Sequence, residues 1–190
     1  MGLPLITKAE YKTYAGIKST TQDAVIDSLI TKVSELVKNL CRRTFVDYVD
    51  DAKVEYCDGG YNIILLAESP VRTISSVDYS SDYGQTYTTL TAFTEYAYIR
   101  STEAITCLNS SGFTYSPNGY RITYTAGYEI LPEDLKLAIM DLVSYYIKND
   151  SAIHSNKAPG TNTVQIEYVT NTHLPAHIKR VLDQYTANYV

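Results

Sequence analysis

The stretch from Tyr120 to Ile139, YRITYTAGYEILPEDLKLAI, decides the fold, because one secondary-structure period gives way to another within it. In residues 120–124, apolar or aromatic side chains alternate with polar ones, as expected of a strand with one buried face. Pro132 suits the first position of a helix, and the two acids after it offset the positive end of the helix dipole. The stretch therefore predicts a strand followed closely by a helix.

Apolar residues recur with a period near 3.6 along this helix, which is predicted to span residues 133–149. Its stripe consists of Leu135, Ala138, Ile139, Leu142, Val143, Tyr146 and Ile147. A stripe of this kind predicts a helix that packs one face against a core.

Two further helices are predicted at the beginning of the chain. Thr7 and Glu10 form a capping-box pattern that opens a short helix over residues 8–14. Thr20 predicts a hydroxyl cap for a second helix over residues 21–42. The apolar stripe of the second helix is predicted to contain Ile26, Leu29, Ile30, Val33, Val37 and Leu40.

Between these helices, residues 44–125 change to short alternating segments separated by clusters of Ser, Gly, Pro, Asn and Asp. The predicted strands are Val54–Tyr56, Asn62–Leu66, Thr73–Tyr79, Tyr87–Leu90, Tyr96–Ile99, Ala104–Leu108 and Tyr120–Tyr124. An antiparallel sheet or small sandwich follows from this pattern. The predicted class is α+β: a small helical bundle with an inserted antiparallel β subdomain and a C-terminal arm or helix.

The chain after residue 150 is predicted to form a loop and an arm. Residues 150–163 are rich in Ser, Asn, Gly and Pro, and Pro159 and Gly160 are the candidate hinge. Residues 164–169 are predicted to form one more strand or an extended arm. Pro175 opens a final amphipathic helix. These features predict a core over residues 1–150 and a docking arm over residues 151–190.

The composition excludes several classes of protein. Of 190 residues, 45% are hydrophobic and 19% charged, which is typical of a folded globular chain. The longest apolar run, residues 63–67, is too short to cross a bilayer, and the N-terminus lacks the cationic region of a signal peptide. A net charge of −5 argues against a broad grip on nucleic-acid phosphates. A protein made in the cytoplasm is expected.

Tyrosine is the most unusual component, with 19 residues beside no tryptophan and three phenylalanines. Tyrosine favours strands, and it also enriches protein interfaces because it combines an apolar ring with a polar tip. Both interpretations are compatible with the sequence.

The sequence contains no pattern typical of an active site or a metal site. The histidines are His154, His173 and His177, and Pro175 separates the last two, so one helical face does not hold both. The cysteines, which have no CxxC spacing, are Cys41, Cys57 and Cys107. No HExxH, GxSxG or phosphate-binding glycine pattern is present. We therefore predict no enzyme, and no catalytic, cofactor-binding or metal-binding residue.

Segments at both ends of the chain resemble tailed-bacteriophage head–tail connector proteins, a family of head-completion or adaptor proteins. They are residues 5–17, the helix end at 40–45, YTAGYEILPEDLK at 124–136, and residues 174–185. Their joint order and spacing carry the resemblance over nearly the whole chain. Residues 80–119 are longer and richer in tyrosine than the compact members of that family, and no role is assigned to them.

The resemblance implies a structural virion protein at the head–tail interface. Its subunits are expected to form a ring, twelve-fold in this family, beneath the portal protein. Such a ring extends the DNA channel and joins a downstream stopper, tail or nozzle protein. Viral DNA is expected to pass through without sequence-specific binding, and no membrane or cofactor is implied.

The final helix is the candidate portal-docking element, because an amphipathic helix after a hinge can lie in a partner's groove. The candidate docking residues are His177, Ile178, Lys179, Arg180, Val181, Leu182, Tyr185 and Tyr189. The alternative is that this helix closes the subunit's own core. The sequence leaves two alternative functions open. One is a receptor- or carbohydrate-binding tail-fibre module rich in β structure, and the other is a small hydrolase without a familiar motif.

Overall fold

A computed structural model describes residues 2–152 and 174–187, except for the side chains of residues 148–152. The helices of this part of the chain are α1 (Lys8–Ala15), α2 (Asp23–Cys41), α3 (Glu133–Ala152) and α4 (Ala176–Tyr185). Its strands are β1 (Lys53–Cys57), β2 (Ile63–Leu65), β3 (Val71–Tyr79), β4 (Thr88–Thr89), β5 (Tyr96–Ile99), β6 (Ala104–Cys107) and β7 (Tyr120–Ala126). Each strand predicted over residues 44–125 therefore corresponds to an observed one. The strand or arm predicted over residues 164–169 lies outside the described residues.

The elements group into two units. A helical unit is built from the described parts of Met1–Arg42 and Leu131–Val190, and a β unit from Arg43–Ile130. The predicted α+β class and the insertion of an antiparallel β subdomain between helices are confirmed. The division into residues 1–150 and 151–190 stays a prediction.

Helix α1 begins at the predicted capping box. The Thr7 hydroxyl oxygen accepts from the Glu10 N–H at 3.2 Å, and the Glu10 carboxylate accepts from the Thr7 N–H at 2.7 Å. The hydroxyl cap predicted at Thr20 is wrong, because α2 is capped at Gln22 without a side-chain hydrogen bond. The backbone oxygen of Thr20, not its hydroxyl, accepts from the Asp23 N–H.

Helices α2, α3 and α4 share the core of the helical unit. The apolar side chains of these three helices that are at most 4% exposed are Ile26, Ile30, Val33, Val37, Cys41, Leu135, Ala138, Ile139, Leu142, Val143, Ile178 and Leu182. Four members of the predicted stripes are not part of this core. Leu29 and Ile147 are only half-buried, and Leu40 and Tyr146 are 42% and 38% exposed. They lie at or beyond the borders of the packed faces.

The β unit contains two antiparallel sheets with the strand orders β1-β7-β3-β4 and β2-β6-β5. Buried and half-buried residues alternate strictly along strand β7, and the buried ones are Tyr120, Ile122, Tyr124 and Ala126. They share one apolar core with Ile64, Tyr96 and Ile105 of the other sheet. The predicted antiparallel sheet or small sandwich is therefore a sandwich of two small sheets.

Candidate interaction surfaces

The apolar face of α4 is packed inside the helical unit. Ile178 and Leu182 are 1% and 3% exposed. The Cys41 thiol donates to the Leu182 carbonyl oxygen at 3.6 Å, and the Ala187 N–H donates to the Cys41 carbonyl oxygen at 2.9 Å. The Tyr185 hydroxyl donates to an Asp134 carboxylate oxygen at 2.7 Å. These contacts favour the interpretation that α4 closes the subunit's own core.

The opposite side of α4 faces solvent and carries charged residues, among them two cations and Asp183. The His177 side chain is 71% exposed, with Nε2 3.9 Å from an Asp141 carboxylate oxygen. Lys179 and Arg180 are exposed, and Val181 is half-buried. The candidates that lie outside the described residues are Tyr189, Pro159 and Gly160. Only His177, Lys179 and Arg180 are thus freely available to a partner among the described docking candidates.

The groups that could carry metal chemistry are dispersed. Over residues 2–152 and 174–187, no three histidine, cysteine or acidic side chains lie close enough together to hold a metal ion. His154 and His173 lie outside these ranges. Burial raises the pKa of the Cys57 thiol to about 12, so this cysteine stays protonated and unreactive at neutral pH. Within the same ranges, no helix has the length and apolar character needed to cross a bilayer.

Helix α2 carries a second apolar stripe, separate from its buried face. Val25, Leu29, Lys32, Leu36 and Leu40 recur at helical spacing along one line of the helix. Val25 and Leu40 are 57% and 42% exposed, Leu29 and Leu36 are half-buried, and Lys32 is exposed. We call this line the α2 outer stripe. The sequence does contain the helical spacing of this stripe. The same spacing of Leu29 and Leu40 also fits the core stripe, to which they were predicted to belong.

The three-stranded sheet exposes an apolar outer face. In its paired registers, Leu65 lies opposite Ala104, and Ala104 lies opposite Ile99. The large apolar side chains of this sheet face, with their exposed fractions, are Tyr61 71%, Ile63 48%, Leu65 47%, Ile99 41% and Leu108 48%. The Leu108 N–H donates to the Glu95 carbonyl oxygen at 2.9 Å, which places one carboxylate residue at the border of the face. Alternation along single strands did not reveal this face, because it is assembled across three of them.

A rigid loop displays another aromatic residue. The Asp82 carboxylate accepts from the Ser80 hydroxyl at 2.6 Å and from the Gln85 and Thr86 N–H groups at 3.1 and 2.8 Å. These bonds, led by that from Ser80, hold the pKa of Asp82 well below its usual range. Tyr83 lies at the tip with φ of 59° and is 74% exposed.

The tyrosines are found both in the core and on the surface. Tyr96, Tyr120 and Tyr124 are buried strand residues of the sandwich core. Tyr56 and Tyr61 lie on the surface, more than half exposed. The strand role is therefore observed, and the interface role stays a prediction.

One buried tyrosine anchors a polar network inside the β unit. The Tyr124 hydroxyl donates to a Glu55 carboxylate oxygen at 2.6 Å and accepts from the Glu68 N–H at 3.2 Å. The Lys53 ammonium lies 3.7 Å from Glu55 and 3.6 Å from Glu68. Burial, followed by the bond to Glu55, raises the pKa of Tyr124 far above its ordinary value, so its proton is always present to donate.

Replacing Tyr124 with phenylalanine should lower the free energy of unfolding by about 1–3 kcal/mol, because it leaves a buried N–H and a carboxylate without their partner. Urea denaturation measures this change. The control is Tyr56→Phe, on a residue that is 56% exposed, which should change stability by less than about 0.5 kcal/mol. Equal stability of the two variants would show that the network does not stabilise the fold.

The fold defines a class of protein: a small α+β protein with a helical unit, an inserted antiparallel β unit and two exposed apolar faces. Comparison with known proteins specifies the family. The model of the head completion protein family matches residues 4–187. The chain belongs to this family, which confirms the resemblance seen in the sequence.

Individual relatives agree with this assignment. The head completion protein of Escherichia phage T5 is 25% identical over 187 residues, covering 96% of this chain and 98% of that protein. A chain from the neck of an empty gene transfer agent particle, computed with C6 symmetry, has a TM-score of 0.64 and 16% identity over 100% of this chain and 91% of that one. A chain from the neck of the native particle, computed with C12 symmetry, has a TM-score of 0.60 and 16% identity, with coverages of 96% and 88%. These two similarities establish a shared fold.

Proposed function

We propose that this chain is a head–tail adaptor, a structural and non-enzymatic virion protein of the neck. Copies of it form a ring, twelve-fold in our proposal, beneath the portal protein and above a stopper, tail or nozzle protein. The observation that carries the proposal is the family match over residues 4–187. The fold shared with neck chains of particles computed with C6 and C12 symmetry supports the ring. The family match favours this function over the carbohydrate-binding module and the hydrolase.

The charge of the chain suits a ring around DNA. Each copy carries a net charge of −5, so twelve copies carry about −60. Like charge on a channel wall allows DNA to slide past without adhering, which agrees with passage that does not depend on DNA sequence.

The docking element in this proposal is the exposed side of α4. Ile178 and Leu182 are occupied by the subunit's own core, so they are not available to the portal. His177, Lys179 and Arg180 present two positive charges and an imidazole beside them. An acidic groove on the portal is the complementary surface. The hinge at Pro159 and Gly160 remains part of the proposal.

The triple variant His177→Glu, Lys179→Glu and Arg180→Glu should bind the portal protein of the same phage at least about tenfold more weakly, which corresponds to about 1.4 kcal/mol. The cause is repulsion between the new acids and an acidic groove. Sedimentation of portal mixed with the purified chain measures binding, and thermal denaturation checks that the variant folds.

The control is Lys18→Glu, an exposed charge reversal remote from α4 in sequence, which should bind as the unaltered chain does. Equal portal binding by the triple variant would refute docking through α4. Failure of the unaltered chain to bind portal at all would refute the adaptor function itself.

A further inference from the structure

Two apolar faces of this chain are left uncovered by the described residues. One is the α2 outer stripe of the helical unit, and the other is the sheet face of the β unit. The five large apolar side chains of the sheet face are each 41% to 71% exposed. A contiguous apolar face of this kind is a candidate site of association.

The symmetry of a ring determines what kind of contact such faces make. Rotation about a single axis joins each copy to the next through two different surfaces, one on either side of the contact. A face that paired with itself would stop at a dimer. A ring subunit therefore needs two unlike, complementary surfaces, and this chain has two unlike apolar faces.

We propose that the α2 outer stripe of one copy packs against the sheet face of the next copy, and that this contact closes the ring. The inference rests on the adaptor function proposed above. Both faces then bind the same partner, another copy of this chain.

The charges on the two faces are complementary. Lys32 is the charged residue in the middle of the α2 outer stripe, and it makes no ion pair within residues 2–152 and 174–187. Glu95 is the charged residue at the border of the sheet face, where one carboxylate oxygen accepts from the Thr91 N–H at 2.7 Å. Its second oxygen is available to a cation. A positive group within the α2 outer stripe and a negative group at the border of the sheet face can fix the register of the contact.

Charge reversal tests the proposal. Lys32→Glu and Glu95→Lys should each weaken ring formation at least about tenfold, since each places like charges together. The double variant, with both reversals, restores the pair in the opposite sense and should recover ring formation to within about threefold of the unaltered chain. Rings are counted by negative-stain microscopy of the chain assembled with portal, and self-association is followed by sedimentation over a concentration series.

Matched controls are Lys18→Glu and Asp51→Lys, which make the same charge changes at exposed positions off both faces. They should form rings like the unaltered chain. A ring from the unaltered chain that neither single reversal affects would overturn this inference and leave the adaptor function standing. Absence of any ring or portal binding by the unaltered chain would overturn the adaptor function first.

The other possible occupants give distinct results that would also overturn the inference. If residues 153–173 of the same chain covered the α2 outer stripe, Lys32→Glu would lower the thermal stability of the monomer and leave the ring intact. If a downstream protein covered the sheet face, Glu95→Lys would abolish binding of that protein while rings persisted. Failure of the double variant to recover would mean that Lys32 and Glu95 do not face one another.

Discussion

Replacing Leu182 with alanine should lower the free energy of unfolding by about 3 kcal/mol, the typical cost of emptying a buried leucine site. Leu182 is 3% exposed in the core of the helical unit, and its carbonyl oxygen accepts from the Cys41 thiol of α2. The lost methyl groups would leave a cavity that rigid neighbouring helices cannot fill. Urea denaturation followed by circular dichroism at the helical minimum measures the change.

The control for this variant is Lys179→Ala, an exposed position on the same helix, which should change stability by less than about 0.5 kcal/mol. The comparison decides between the two interpretations of α4. If Leu182→Ala were as stable as Lys179→Ala, α4 would not close the subunit's own core. Its apolar face would then be free to lie in a groove of the portal.

Replacing Gly127 with alanine should lower the free energy of unfolding by about 3 kcal/mol, from backbone strain together with overpacking. Gly127 follows β7 with φ of +109°, a backbone conformation that residues with a side chain rarely adopt. A Cβ there would collide with the carbonyl oxygen of Phe45. That oxygen cannot move away freely, because it accepts from the Tyr128 N–H at 2.7 Å.

The matched control is Gly16→Ala. Gly16 also has a positive φ of +67°, but nothing lies within 4 Å of its added Cβ. It should cost only about 1 kcal/mol, which is the strain of the left-handed conformation alone. Thermal and urea denaturation of both variants isolate the effect of the close approach to Phe45. Equal losses in the two variants would show that no such crowding exists.

The Gly127 result gives the YTAGY segment a physical meaning. Tyr124 anchors the buried polar network, Ala126 is 1% exposed, and Gly127 permits the close approach of the chain at Phe45. Residue choice at these positions is thus constrained by packing. The segment that carried the family resemblance is also a segment on which the β unit depends.

Local patterns in the sequence were sufficient for the order and type of the elements. The capping box at Thr7 and Glu10, the helix after Pro132 and each of the predicted strands are present in the structure. The capping box depends on residues close in sequence. The helices and strands depend on the spacing of apolar residues, which is the same whatever surface buries that face of the element. The family assignment followed from the same segments.

The patterns were less informative about which apolar residues pack together. Leu29 and Leu40 have the helical spacing of core residues, yet they belong to the α2 outer stripe. Ile178 and Leu182 have the same kind of spacing, yet they are buried by the subunit itself. Periodicity shows that a face is apolar and does not show which surface covers it.

The sequence by itself determined the α+β class and the inserted β subdomain, because both follow from local periodicity and turn residues. It also contains the segments that resemble the head completion family, to which the family match assigns the chain. Only the tertiary structure decided that the apolar side of α4 lies in the subunit's own core, and that Ile63, Leu65, Ile99 and Leu108 form one exposed face. Both facts depend on contacts between residues far apart in the chain. Such contacts are set by how whole elements pack, and no single segment encodes them.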